Sequence, residues 1–564
     1  MTTASTPRPT LIPAHIRRHL TGLLPGPADL APLRTSWRRD LIAGVTVGVV
    51  ALPLALAFGV SSGLGASAGL ITAIVAGVVA AVFGGSHVQV SGPTGAMAVV
   101  LAPIVASHGP HAVIVVSVIA GVILVAAGAL RLGRVVVYIP WPVIEGFTAG
   151  IALVIALQQV PLALDTPTPT GERTLLAAYD AVRIADWSHA WLPLTITLGV
   201  VVLVEALRRL PGSLPGALIA VVAATVVAEV AGLPVARIGE LPSSLPMPHI
   251  PLIDPAILSE LIGPALAVAA LAAIESLLSA RVAAGMAPTG RVLPDREVFG
   301  QGLASIASGL FGGMPATGAI ARTAVNVRAG ARSRLSAVTH AVLLTAVVAF
   351  GSGLASRIPL SALAGVLIAT TLHMVNLREV RGLWRLGRST TATFVVTIAC
   401  TVLLDLLTAV EVGLVLAAFF ALRALADTTH VAHQDLPGPA RPGDEHIALL
   451  RLEGSLFFGA ADRVMDDIAD ADAWVVVLRL SRVELLDPTG AHRLAEIVKL
   501  LEARGVTVLI KGLRNRHQRM AARAGVLEAL RTREHVFDDL DAAVAHARSH
   551  VSRQLAGQPV PRRR

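Results

Sequence analysis

FGGMPATGAIARTAVNVRAGARS, residues Phe311 to Ser333, lies deep inside an apolar sequence. It nevertheless carries Gly312, Gly313, Pro315, Thr317, Gly318, Arg322 and Asn326 where a plain membrane helix would carry leucine and valine. A helix that starts at membrane depth after such a Gly/Pro break directs unpaired backbone N–H groups and its positive dipole end at whatever precedes it, which favours an anion. The front half holds a second copy, since Gly92-Pro93-Thr94-Gly95-Ala96-Met97 reads GPTGAM against PATGAI at Pro315 to Ile320. The two Thr-Gly-Ala cores stand about 220 residues apart, and Ile139-Pro140-Trp141-Pro142-Val143 matches Ile358-Pro359-Leu360-Ser361-Ala362 at nearly the same offset. Two matched pairs at one spacing describe an internal repeat, and broken apolar segments at corresponding places of two repeats point to the substrate site of a secondary transporter. Close helix packing at small residues is the plainer reading of either stretch alone.

The composition agrees. With 564 residues, 54% of them hydrophobic, and a mean hydropathy of +0.71, the chain reads as a polytopic membrane protein. The first apolar run begins only at Leu41, behind Arg34, Arg38 and Arg39, and is long enough to span, so it is no cleavable signal peptide. One cysteine, Cys400, excludes an intramolecular disulfide and a thiolate metal site, and reads as a packing residue. The net charge of +9 comes from arginines at the ends of apolar segments, which is orientation charge and not a nucleic-acid footprint.

About fourteen membrane segments are expected, two of them half-helices. They begin with Asp40 to Gly59, interrupted by Pro53, and Ala66 to Phe83; a break at Gly84 to Gln89 then leads into a short helix from about Gly92 to Ala106. The second half includes Ile257 to Ala284, Phe299 to Leu310, a short helix from about Ala316, and a last span at Leu407 to Leu425. With the N-terminus inside, every cytoplasmic loop except the break before the third segment carries arginine, namely Arg131 and Arg134, Arg208 and Arg209, Arg281 and Arg291, Arg328 to Arg334, and Arg378 to Arg388, while the long outer loop from Asp165 to Asp186 is acidic on balance. Both termini are therefore expected in the cytoplasm.

Past Ala424 the chain turns charged and polar through a Pro/Gly-rich linker, Asp427 to Asp444. Beyond it the β-rich runs Ile447 to Leu452, Trp474 to Leu480 and Val506 to Ile510 alternate with helical patterns at Ala460 to Ala469, Thr489 to Ala503 and Arg514 to Ala524. That alternation predicts a small α/β domain.

Taken together, Asp40 to Gly59, the GPTGAM and GGMPATGAIARTAVNVRAG stretches, and Ala273-Ile274-Glu275-Ser276-Leu277-Leu278-Ser279-Ala280-Arg281 resemble the SulP family of inorganic-anion transporters, related to prestin and pendrin. Leu486-Asp487-Pro488-Thr489-Gly490 resembles the family's C-terminal STAS domain, and the resemblance covers about residues 36 to 550. It implies a polytopic α-helical fold, a seven-plus-seven inverted repeat with core and gate domains, alternating access with the substrate between facing half-helices, and a homodimer. The division implied is an N-terminal cytoplasmic segment 1–39, a transmembrane domain 40–425, a linker 426–445, a STAS domain 446–550 and a basic tail 551–564.

The candidate substrate-binding residues are Phe58, Thr94, Gly95, Ala96, Thr317, Gly318, Ala319 and Arg322, with backbone N–H groups around the Thr-Gly-Ala cores as donors. Each threonine hydroxyl also suits a plain helix cap. Arg322 would stand about 9 Å into its helix if that helix begins near Ala316, and it needs a partner, a watery cavity, or a snorkel to the cytoplasmic face. It matches the arginine that prestin-like members carry near their anion site, although Ala319 and Ala321 replace serines found in prestin. Phe58 falls where family members have an aromatic residue lining the site, or it packs against lipid; Leu54 stands in place of the glutamine common in animal members. Glu275, with Ser279 one turn later, occupies the position linked to ion or proton coupling, or it is a structural partner for Arg322. The sodium-dependent bicarbonate branch has aspartate and threonine at these two places, so a proton is expected ahead of sodium. His87 has no second ligand at metal spacing, and no metal or cofactor is expected. Thr489 stands where soluble STAS relatives have a phosphorylatable serine, in a sequence equally suited to an N-cap.

No nucleophile–base pair or phosphate loop appears at mechanistic spacing, so an enzyme is not expected. The leading expectation is secondary active transport of a small inorganic anion, sulfate first and bicarbonate, chloride or dicarboxylate after it, coupled to a proton, in a bacterial inner membrane and in contact with its lipid. The alternatives are an anion channel and an anion-responsive sensor that signals to a cytoplasmic regulator through the STAS domain; a nucleobase permease, which shares the architecture, is disfavoured by that domain and by Arg322.

Overall fold

The computed structural model describes residues 19–134, 139–167, 174–210, 215–249, 255–286, 290–404, 406–458, 461–469 and 472–557. They form two compact units, divided between Leu414 and Val415.

The first unit is helical. Its first half runs α1 (Leu33–Ser61), α2 (Ala66–Phe83), β1 (Ser91–Gly92), α3 (Gly95–His108), α4 (Pro110–Ala129), α5 (Trp141–Leu164), α6 (Thr174–Ile184), α7 (Trp187–Arg209) and α8 (Gly216–Val230). The second half runs α9 (Pro255–Met286), α10 (Pro294–Leu310), β2 (Thr317–Gly318), α11 (Ile320–Arg328), α12 (Leu335–Ala355), α13 (Leu360–Met374), α14 (Leu377–Leu386) and α15 (Arg388–Leu403); α16 (Leu406–Asp427) crosses the division. Among the described residues nine helices are long and apolar enough to cross a membrane, and three shorter apolar ones accompany them. This order is consistent with seven segments followed by seven. The matched Ile-Pro pairs start α5 and α13 in the same way: Pro140 (φ −68°, ψ 143°) and Pro359 (φ −64°, ψ 138°) are the two N-caps, each extended before the helix begins.

Several boundaries differ from expectation. The first helix begins at Leu33, not Asp40, and α10 begins at Pro294, not Phe299, because polar residues at these ends find buried partners. Asp40 is fully buried and accepts the backbone N–H groups of Arg332 (2.7 Å) and Ser333 (3.0 Å). Asp29 is wedged between Arg296 (2.9 Å) and Arg334 (3.0 Å), so at least this part of the 1–39 segment is a structural strap; residues 1–18 lie outside the described residues. Burial pushes the Asp29 carboxyl up, but the Gly26 N–H, Arg334 and Arg296 together outweigh it and hold the carboxyl below its ordinary value. Arg334, expected as a topology charge, is therefore one of two arginines closed on a buried carboxylate. The loops at Asp165 to Asp186 and Arg378 to Arg388 contain the helices α6 and α14. In α14, Leu377, Trp384 and Leu386 stand exposed beside Arg378, Arg381 and Arg385, the composition of a helix lying on a membrane surface.

The second unit is the α/β domain. Its sheet has the order β3 (His430–Gln434), β4 (Ile447–Leu456), β5 (Val475–Leu486), β6 (Thr507–Lys511) and β7 (Val536–Phe537), with β3 antiparallel to β4 and the rest parallel. The expected linker 426–445 thus supplies an edge strand. One sheet face buries Leu450, Val476, Leu478, Val508 and Ile510 against α17 (Ala461–Ala469) and α18 (Pro488–Ala503). The other buries Leu449, Val475, Val477 and Leu509 against Ala543, Ala547 and Val551 of α21 (Leu540–Leu555). Between these come α19 (Asn515–Arg523) and α20 (Val526–Ala529). The tail expected from residue 551 starts inside α21. The α18 cap is Asp487, which accepts from Gly490 N at 2.7 Å; Thr489 is exposed beside it and does no capping.

Candidate anion-binding site

Both breaks meet at one point. Ser91–Gly92 and Thr317–Gly318 pair antiparallel, Ser91 with Gly318 and Gly92 with Thr317, and Ala319 N donates to Val90 O at 3.0 Å. This bridge keeps the backbone extended through Gly318, so α11 begins at Ile320 and not near Ala316. Arg322 is therefore its third residue, about 3 Å along the axis instead of 9 Å.

Each break hangs on buried side chains. Glu297, 1% exposed, accepts Gly85 N (2.8 Å), Ser86 N (3.1 Å), Gln89 Nε2 (2.8 Å) and Gln301 Nε2 (3.0 Å), which holds the turn between α2 and β1. The second break is held by hydroxyls: Met314 N donates to Thr72 Oγ1 (2.8 Å), and Ser308 Oγ donates to Met314 O (2.7 Å). Asn326 Nδ2 donates to Val88 O (2.7 Å), and Val90 N donates to Thr323 Oγ1 (3.1 Å), so α11 is sewn to the first break.

At the crossing sits Glu275 of α9, half-buried. One of its carboxylate oxygens accepts both equivalent threonines, Thr94 Oγ1 at 2.8 Å and Thr317 Oγ1 at 2.7 Å, whose oxygens stand 3.2 Å apart. Thr94 is also the α3 N-cap and accepts from Met97 N at 3.4 Å, so capping and contact coexist. Arg322 is 2% exposed: it is buried and does not snorkel. Its Nη2 donates to Pro93 O, while its Nη1 is buried with no protein partner. A Cβ on Gly92 would stand 2.6 Å from that Nη1, so a side chain there would have to displace the guanidinium.

Around this crossing the remaining expected residues take varied places. Phe58 is buried with its ring edge 3.1 Å from where a Cβ on Gly95 would be, beside the start of α3, and Ala96 is buried in the first turn. Gly318 and Ala319 are at the crossing, but their N–H groups are engaged, by Ser276 Oγ (2.9 Å) and Val90 O respectively; the unpaired first-turn donors of α11 belong to Ile320, Ala321 and Arg322 instead. Ser279 does not join Glu275, since its hydroxyl donates to Thr323 Oγ1 at 3.0 Å and ties α9 to α11. His87 Nδ1 and Gln89 Oε1 are buried without partners, while Cys400 on α15 is half-buried. Sequence reasoning missed Glu297, Ser276, Thr323 and Ile155, whose Cδ1 packs on Gly95. Glu297 and Gln301 share an i, i+4 face just ahead of an apolar run, which was the available signal; nothing local marks the others.

A family profile described as the sulfate permease family matches residues 37–397, and one for the STAS domain matches residues 439–543. The putative sulfate transporter YvdB of Bacillus subtilis (strain 168) is 33% identical over 515 residues, 90% of this chain and 97% of its own. The bicarbonate transporter BicA of Synechocystis sp. is 29% identical over 533 residues, 90% and 94% of the two chains. The solved structure of murine Slc26a9, an anion transporter, in the inward-facing state shares the fold, with a TM-score of 0.81 at 18% identity over 96% of each chain. By the span of the profile match and by the identity to YvdB along nine-tenths of its length, this chain belongs to the sulfate permease family of membrane anion transporters and carries a C-terminal STAS domain.

Proposed function

We propose that the chain is a proton-coupled secondary transporter that takes up a small inorganic anion, sulfate first and bicarbonate next, by alternating access across a bacterial plasma membrane. The anion sits between the starts of α3 and α11, near Phe58, Thr94, Gly95, Ala96, Thr317 and Arg322. Both termini face the cytoplasm, in line with the arginine distribution, and the protein works as a homodimer, as the resemblance implies. The substrate order follows the names of the relatives, YvdB as a putative sulfate transporter and BicA as a bicarbonate transporter.

One observation carries the coupling: the hydroxyls that would bind the anion are donated to Glu275. An ionised Glu275 therefore competes with the anion for both donors and repels it. Two like charges about 4 Å apart cost about 4 kcal/mol at an effective dielectric of 20. Protonation removes the repulsion and frees the threonines, so proton and anion bind together. By linkage each raises the other's affinity by the same factor. Arg322, with one buried N–H group that has no protein partner, supplies attraction without closing a fixed ion pair on the anion's side, so the anion can also leave.

The test is uptake of labelled sulfate, bicarbonate, chloride and fumarate into liposomes holding the purified protein, with and without an inward proton gradient. Saturable uptake of one anion, driven by the gradient in the native protein and indifferent to it in Glu275→Gln, is the expected result. An unchanged pH dependence in Glu275→Gln sinks the coupling; flux without saturation indicates a channel, and binding without flux a sensor.

A further inference from the structure

The C-terminal unit brings three histidines together. His535 ends a short turn that leads into β7, and His546 and His550 stand four residues apart on α21, on one face of that helix. One ring nitrogen from each lies within 4.8 Å of the other two, the one such three-residue group among the described residues. Nε2 of His546 and Nε2 of His550 are 3.2 Å apart. Two imidazoles bound tetrahedrally at the 2.0–2.1 Å of a zinc–nitrogen bond hold their nitrogens about 3.3 Å apart, so this pair is already at ligand spacing. His535 and His550 are buried, at 3% and 7% exposure, and Nδ1 of His535 has no protein partner. His546 is half-buried and gives the cluster an opening.

We propose that His535, His546 and His550 form a binding site for a divalent d-block cation, with zinc as the reference ion and a water completing the coordination. All three donors are imidazole nitrogens, which suits zinc, copper, nickel or cobalt and disfavours the oxygen-seeking magnesium and calcium. The surrounding charges nearly balance for a cation: Arg531 is tied to Glu502 at 3.0 Å and Glu534 adds a carboxylate nearby, leaving Arg553, which donates to Ser549 O at 3.2 Å, as the opposing charge. Phe537 walls the cluster, its ring 5.3 Å from that of His546. The bound ion would clamp α21 to the sheet edge formed by β7, where only two residues pair with β6.

The competing account is plain packing, in which two neutral rings share one hydrogen bond. Full-length protein purified in detergent through a tag without histidines, loaded with zinc chloride and desalted, separates the two. The expected result is one zinc per chain, a rise in melting temperature on loading, and the visible absorption of four-coordinate cobalt when cobalt chloride is used instead. His546→Gln, chosen because that ring is the least buried, weakens zinc binding about tenfold or more against a chromophoric chelator and abolishes the melting shift. His517→Gln, a buried histidine of the same unit outside the cluster, leaves both unchanged. No zinc retained by the native protein, or equal retention by His546→Gln, overturns the proposal. The cobalt spectrum of the native protein decides the matter even if the variant misfolds, because absorption of six-coordinate type would also overturn it.

Discussion

At the first break Thr94 caps α3 and reaches Glu275 from the cap position. At the second, the corresponding Thr317 lies in the bridging strand, two residues before the cap Ala319, and reaches the same carboxylate oxygen. The same Thr-Gly-Ala sequence thus delivers its hydroxyl to one place from two backbone settings. The two-residue slip also sets where charge enters the site, because five residues after each threonine the first copy has Val99 and the second has Arg322. In α11 the slip brings that arginine into the first turn, where the helix dipole opposes a cation by about 0.3–1 kcal/mol. A cation placed there gains from a negative group in front of it, whether Glu275 or a bound anion. On the proposed reading the repeat supplies matching hydroxyl arms, and its asymmetry supplies the charge.

The largest difference to exploit is in the scaffolding, a carboxylate for the first break and hydroxyls for the second. Glu297→Ala removes the acceptor of four buried donors, and orphaning even two of them costs about 2–6 kcal/mol at about 1–3 kcal/mol each. Thr72→Val removes one hydroxyl and costs about 1–3 kcal/mol. Melting of the detergent-solubilised protein should therefore fall much further in Glu297→Ala; equal falls would mean that the first break does not depend on its carboxylate.

Arg322→Ala comes next. A hydrogen bond to a charged group contributes about 1.5–3 kcal/mol, so the KM for the anion should rise about 10- to 150-fold. Val99→Ala, at the equivalent place in the first copy, should leave KM within about twofold. An equal loss in both variants would remove the asymmetry of charge from the mechanism.

The glycines sharpen the comparison further. A methyl on Gly318 meets the side-chain amide of Gln89, which cannot swing away without leaving Glu297; Gly318→Ala should cost about 1–3 kcal/mol of stability as overpacking. A methyl on Gly95 meets the Cδ1 end of Ile155 and the Phe58 ring edge. The Ile155 end can rotate, so Gly95→Ala should keep the melting temperature and raise KM by covering the start of α3. A larger fall in stability for Gly95→Ala than for Gly318→Ala would reverse the assignment of which break is rigid.

Much of this was legible in the chain. Repeat, half-helices and α/β domain come from spacing and periodicity, and Thr94, Thr317, Glu275 and Arg322 do converge. What escaped depends on pairing between distant segments. The bridge between Ser91–Gly92 and Thr317–Gly318 is two residues long and leaves no strand signal, yet it shifts the start of α11 by four residues and takes up the N–H groups of Gly318 and Ala319. Ser279 has the right spacing to share a face with Glu275, but Thr323 from another helix captures its hydroxyl. Asp29 reads as part of a polar tail until Arg296 and Arg334, far along the chain, close on it. Amphipathic α14 was hidden by its arginines, which look like loop charge.

The smallest expected effects come from the threonines themselves, and they test the equivalence of the two arms most directly. Valine matches threonine in shape and removes only the hydroxyl. Thr317→Val loses the hydroxyl that donates to Glu275 in the empty site and would donate to the anion, about 1 kcal/mol, so KM should rise about fivefold and melting fall slightly. Thr94→Val loses the same donation together with the α3 cap, a further 0.5–2 kcal/mol, roughly. Its KM should change by a similar factor while its melting temperature falls further. The pair of measurements separates contact from capping without reference to any other residue. Matching falls in melting temperature would give Thr317 a structural task that its strand position does not suggest. A KM change confined to one variant would mean that only one repeat contributes a hydroxyl to the anion, and the convergence on Glu275 would then belong to folding and not to transport.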